Sequence, residues 1–256
     1  MSANPQPAVA SAMPLAMLPH GSFNPASRGV PMGNGWIWFA AAWSIFRAAA
    51  GTWIGMLLTL IVIALVLSLV PFIGPIVLTV LWPVFIAGLM IASRTVEQSS
   101  EPKFSQLFAG FRQRFGPLLL LGVVSLVVSL AIFFAVVAMT GVRIFAIGVA
   151  SSPEAALTAL LSMALAGLLI AALMLPLFMA TWFAAPLIAL HDMSVGAAMK
   201  ASFIGCLKNV LPFALYSVIA LVASAIASVP LLLGWLVLAP VLFVSVYTGY
   251  RDIYFQ

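Results

Sequence analysis

What this chain has least of is charge. Only 6% of its 256 residues are Asp, Glu, Lys or Arg, while 65% are hydrophobic. A soluble domain carries about 25% charged residues, so this chain has too little charge to cover a water-facing surface. It reads as an integral membrane protein. A single cysteine, Cys206, excludes an internal disulfide and reads as a small packing residue rather than a reactive thiol. Of two histidines, His20 falls in a polar tail, which leaves His191 alone and excludes a histidine-rich metal site. There is no GxGxxG, Walker loop, HExxH, CxxC or GxSxG elbow. The net charge of +5 is no nucleic-acid footprint, because the basic residues stand singly at the borders of apolar runs. The expectation is therefore no nucleic acid, no metal, no cofactor and no enzymatic activity.

The apolar runs also lack any internal Asp, Glu, Lys, Arg or His. A charge at mid-bilayer costs about 2.5–3.5 kcal/mol or more and marks an ion path or proton relay where it occurs. Its absence argues against an ion-coupled transporter. Neutral polar residues remain, among them Thr59, Ser68, Thr79, Ser125, Ser162, Thr181, Ser217, Ser224 and Ser245. They read mostly as helix-packing or backbone-bonded groups, with a minority open to lining a path for a neutral solute. Met174 and Met179 lie on different helix faces and read as packing, not a copper relay.

What is present is a stretch that occurs twice. Val70–Arg94 opens on Val-Pro, runs through about twenty apolar residues and closes on arginine. Val229–Arg251 does the same. In both, an internal proline (Pro83, Pro240) lies eleven residues before the arginine. Such spacing suggests a repeated unit.

Taken in order, residues 1–34 are rich in Pro, Ala, Ser, Gly and Asn. They are expected to form a disordered cytoplasmic tail, and His20 within it to be solvated. Trp36, Phe39, Trp43 and Phe46 follow at helical spacing and predict an interfacial helix over Gly35–Ala50. Apolar spans are predicted over Thr52–Val70 and Ile76–Ser93, joined by a tight turn at Pro71–Pro75. Phe104, Leu107, Phe108, Phe111 and Phe115 predict a second amphipathic helix, and Gly116–Thr140 a third span. Gly141–Pro153 is a longer connection holding Arg143. Ala155–Leu190 is too long for one straight span, since 36 helical residues reach about 54 Å against a hydrocarbon core of about 30 Å. Pro176 and Pro186 are the expected breaks. Val195, Ala198, Met199, Ser202, Phe203 and Cys206 predict a third interfacial helix, and Val210–Val229 and Leu231–Tyr250 the last spans.

The fold expected is an all-α membrane protein. Six transmembrane helices form three parallel helical hairpins, each preceded by an amphipathic interfacial helix (units 35–94, 103–192 and 194–252, within a domain of 35–254). Nine of ten Lys and Arg fall on one side, all but Arg143. By the positive-inside rule both termini are expected in the cytoplasm of a bacterial inner membrane.

On that rim lies the densest polar cluster: Arg94, His191, Asp192, Ser194, Lys200, Asn209, Arg251 and Asp252. Asp192 or Ser194 is expected to cap the following helix, with the lysines meeting lipid phosphates. Arg94, Asp192, Arg251 and Asp252 close the three units and are expected to pair with one another around a pseudo-axis. An acid–base role for His191 and Asp192 is the least favoured alternative.

The run H-D-x-S-x-x-x-A-M-K-x-S (191–202), K-N-V-L-P-F (208–213), Y-R-D-I (250–253), W-x-x-F-R (43–47) and L-F-x-G-F (107–111) resembles an uncharacterised family of six-span proteobacterial inner-membrane proteins. The resemblance covers about 36–254. That family is similar, more distantly, to membrane domains that accompany some glycerophosphodiester phosphodiesterases, whose chemistry resides in a separate soluble domain. The resemblance implies topology and no catalytic residue. The function expected is non-enzymatic: binding a lipid or amphiphile, or passing a small neutral solute, between hairpins. A scaffold or accessory subunit docking a membrane-protein partner is the alternative.

Overall fold

The computed structural model describes residues 18, 19, 21–98, 100–140, 152–230 and 232–256. Arg143, most of the connection around it, His20 and tail residues 1–17 lie outside the described residues. The helices are α1 (Asn34–Ala48), α2 (Ala50–Ser68), α3 (Ile73–Glu97), α4 (Ala109–Gln113), α5 (Phe115–Thr140), α6 (Pro153–Trp182), α7 (Ala184–His191), α8 (Val195–Lys208), α9 (Val210–Ser228) and α10 (Trp235–Tyr254). Six of the stretches they form, with α6 and α7 counted as one, are long and apolar enough to cross a membrane. No strand occurs among the described residues.

Short connections fold the chain back on itself. The turn between α2 and α3 carries Phe72 at φ 64°, and the turn between α9 and α10 carries Leu232 at φ 67°. Two residues later each chain has a glycine, Gly74 or Gly234, pressed on the backbone of the preceding helix at Leu67 or Ala227. A Cβ there would lie 1.7 Å from the Leu67 carbonyl oxygen or 2.5 Å from the Ala227 Cα. The two Val-Pro turns thus use one device, which only glycine allows.

α3 is the central packing element, in contact with α2, α5, α7 and α10. Gly122 of α5 lets its backbone meet Val80, where a Cβ would stand 2.0 Å from the carbonyl oxygen. Gly88 of α3 admits Leu107 equally closely. Here the expected amphipathic helix over 104–115 is corrected. Phe104–Phe108 is a 3-10 turn, followed by the one-turn α4 and a break at Arg114. The segment is pressed against α3, with Gln106 pinned to Thr95 at 2.7 Å, and its tighter winding follows that close approach.

The long fourth stretch breaks at Phe183, between α6 and α7. Pro186 lacks the N–H that would bond the Trp182 carbonyl, so the helix cannot run through. Pro176 stays inside α6. The break is repaired from α8: the Phe183 N–H donates to Ser202 Oγ at 2.9 Å, and that hydroxyl donates to the Met179 carbonyl at 2.6 Å. One serine thereby stands in for the missing helical hydrogen bond.

The core lies toward one end. Trp38, Trp53, Phe183, Leu107, Tyr247, Tyr250 and Tyr254 are among its fully buried side chains. α1 lays Gly35, Trp38, Ala41, Ala42 and Ile45 inward, and packs along α10. At the other end Leu65, Leu69, Phe72, Leu168, Leu221 and Val229 are exposed, the surface of helices whose solvent is hydrocarbon.

Residues 21–34 differ from the disordered tail expected. Phe23 pairs with Phe255 in an isolated antiparallel bridge. The Asn24 N–H donates to the Tyr254 carbonyl at 2.8 Å and the Arg28 N–H to Ile253 at 2.9 Å. The strap is held by backbone groups at the end of α10 that no further helical turn would satisfy.

Candidate functional site

Two arrangements qualify: the polar rim predicted from sequence, and a cavity above it. The rim residues come together at the packed end, but not in the pairs expected. Arg251, 9% exposed, donates from Nε to Glu97 Oε1 at 2.8 Å and from Nη2 to the Pro19 carbonyl at 3.0 Å. Its guanidinium lies 3.8 Å from the Phe255 ring centroid. The Tyr247 hydroxyl donates to the other Glu97 oxygen. Asp252, 2% exposed, accepts from Arg28 at 2.8 Å, Asn34 at 2.7 Å and the Trp38 indole at 2.7 Å. Asp192 pairs with Arg114. Arg94 is exposed and forms no salt bridge among the described residues. The expected mutual pairing of Arg94, Asp192, Arg251 and Asp252 is therefore corrected. Adjacent residues on one helix point apart, so Arg251 and Asp252 each find a partner elsewhere.

The capping expectation is corrected too. Ser194 holds the N-cap position of α8, but neither its side chain nor that of Asp192 caps it. Asp192 instead ends α7 in the left-handed region at φ 57°, which a short polar side chain tolerates. His191 stacks on Phe23, ring centroids 3.4 Å apart and 9° from parallel, and its Nε2 meets the Tyr250 hydroxyl. No hydrogen bond joins His191 to Asp192 among the described residues. Lys200 is exposed. Asn209 is fully buried and splints the strap, accepting from the Val30 N–H at 2.8 Å and donating to the Arg28 carbonyl at 2.9 Å.

Sequence reading missed Glu97, Arg28, Asn34, Trp38 and Tyr247. One signal was available: in a chain with five acidic residues, an acid in the last turn of a span is a natural counterion for a basic residue closing another. Cys206 matches its reading. It is buried, its thiol lies 3.5 Å from the Met179 carbonyl, and burial pushes it up to about 12.

Above the rim is a cavity of about 660 Å³ between α3, α5, α6, α7, α9 and α10, within the 300–1,000 Å³ range of small-molecule sites. Trp82, Pro83, Phe178, Thr181, Tyr216 and Ala220 are among its lining residues. Two of the lining residues, Phe178 and Trp182, belong to an aromatic run that continues beyond the cavity. Trp182 meets Phe178 at 4.6 Å and Phe213 at 6.0 Å, and Phe213 meets Trp38 at 5.2 Å. No group of three or more potential metal ligands occurs among the described residues.

The chain is 28% identical over 244 residues to a probable inner membrane protein of Burkholderia thailandensis, an alignment covering 85% of this chain and 90% of the relative. No family model matches the chain, and no solved structure does.

Proposed function

We propose that this is a non-enzymatic, multi-pass inner-membrane protein that holds an amphiphile or a small neutral solute between its spans. The reading takes the six spans as three parallel hairpins, with α1, the 104–113 segment and α8 lying at the cytoplasmic interface and both termini inside. The distant kinship with membrane domains accompanying glycerophosphodiester phosphodiesterases belongs to the same proposal and supplies no catalytic residue. The observation that carries the reading is the cavity of about 660 Å³ in a chain with six helices long and apolar enough to cross a membrane. The printed description of the Burkholderia relative as an inner membrane protein supports the location.

The test is extraction into polymer-bounded native discs without detergent, followed by lipid quantification, together with solute uptake by proteoliposomes. Lipid retained in fixed stoichiometry, or saturable uptake, is expected. The absence of both would refute the proposal, and a protein partner copurifying in fixed ratio would favour the accessory-subunit alternative.

A further inference from the structure

Resting on that reading, we infer that the occupant of the cavity is an acyl chain of a membrane lipid, entering sideways from the hydrocarbon layer, and not a solute crossing to the cytoplasm. The first reason is a census of donors. Each hydroxyl that lines the cavity gives its proton to the protein: Thr79 to the Pro75 carbonyl at 2.8 Å, Ser125 to Leu121 at 2.7 Å and Thr181 to Leu177 at 3.0 Å. Ser245 donates to Leu242 at 2.6 Å, so the Tyr216 hydroxyl, 2.5 Å from the Ser245 oxygen, is the donor of that pair. Beyond the two indole N–H groups of Trp82 and Trp182, a polar solute would find no donor in the described lining, and each further acceptor left unmatched costs about 1–3 kcal/mol. A hydrocarbon chain asks for no donor. The Trp82 and Trp182 indole N–H groups have no hydrogen-bond partner among the described residues and are the donors that this lining leaves free.

Depth is the second reason. On α9 the lining residue Ala220 stands ten residues from Val210 and eight from Ser228, about 15 and 12 Å from the two ends. The cavity therefore lies at the level of lipid tails. The third reason is the lining itself: apart from the hydroxyls of Thr79, Ser125, Thr181 and Tyr216 and the two indoles, the side chains that line the cavity are apolar.

The experiment uses the full chain in vesicles of phosphatidylethanolamine and phosphatidylglycerol with a trace of phosphatidylcholine carrying a mid-chain diazirine. Photolysis is followed by peptide mapping. Adducts are expected within 216–220 and 242–246, besides those at exposed positions such as Leu221. Ala220→Phe fills the cavity and is expected to lower the 242–246 adducts at least fivefold while the exposed ones persist. Leu221→Phe puts the same ring on the outer surface of the same helix and is expected to change neither. Thr181→Phe serves as a second filler should the first variant not be recovered folded. Adducts confined to exposed positions, or unchanged by both fillers, overturn the inference. If lipid is nonetheless retained in fixed stoichiometry, the broader reading survives; if none is retained and no solute is taken up, both fall.

Discussion

Removing the Asp252 carboxylate tests how the packed end is held. In Asp252→Ala, three donors lose their acceptor: Arg28 at 2.8 Å, Asn34 at 2.7 Å and the Trp38 indole at 2.7 Å. Breaking a buried ion pair by deleting one partner costs about 3–5 kcal/mol. The Arg28 side chain is 37% exposed and can turn to water, which favours the lower end of that range. Trp38 is 1% exposed and cannot, so its N–H is left buried without a partner, at about 1–3 kcal/mol. The expected loss is about 3 kcal/mol. Arg28→Ala leaves Asp252 two neutral donors and is expected to cost about 2 kcal/mol. The double variant should fall short of the sum by about 1–2 kcal/mol, the coupling expected of contacting residues. Unfolding in mixed micelles of dodecyl maltoside and SDS measures these differences. Trypsin gives an independent readout, because Arg28 is itself a cleavage site and its backbone N–H is bonded to Ile253 at 2.9 Å. Cleavage after Arg28 should be slow in the parent protein and at least tenfold faster in Asp252→Ala. A variant within about 0.5 kcal/mol of the parent, cleaved at the same rate, would refute the docked strap.

Ser202→Ala removes the hydroxyl that bridges the Met179 carbonyl and the Phe183 N–H. It should cost about 1–3 kcal/mol in the same micelle assay, since the buried Phe183 amide keeps only the Thr181 carbonyl two residues back; no loss would show that the break at Phe183 needs no repair. Cys206 should resist N-ethylmaleimide at pH 8 in the folded protein and react in SDS. Its folded pKa of about 12 exceeds the ordinary 9.0, so ionisation favours the unfolded chain. That stability term is intact below pH 9 and is lost as pH rises from 9 toward 12. Rapid labelling of the folded protein would contradict the burial.

The sequence by itself determined the chemistry of the solvent and the number of spans. A run of about twenty apolar residues without charge has one stable home, and in hydrocarbon a single such segment satisfies its own backbone only as a helix. Hence α2, α3, α5, α9 and α10 fall within a few residues of their predicted limits, and the long fourth stretch breaks near Pro186, one of the two prolines expected to break it, while Pro176 does not. The rim was legible as a collection, since Arg251, Asp252, His191 and Asn209 do gather at one end. Its pairings were not legible. Glu97 meets Arg251, and Arg28 meets Asp252 across 224 positions, and no local period records which charges face each other once helices pack. The strap was hidden for the same reason: its composition lacks apolar periodicity, and it is held by backbone groups at the end of α10 that exist only after folding. The cavity belongs wholly to the tertiary structure, because it is the space that five of the stretches fail to fill when α3 packs closely against some neighbours and not others.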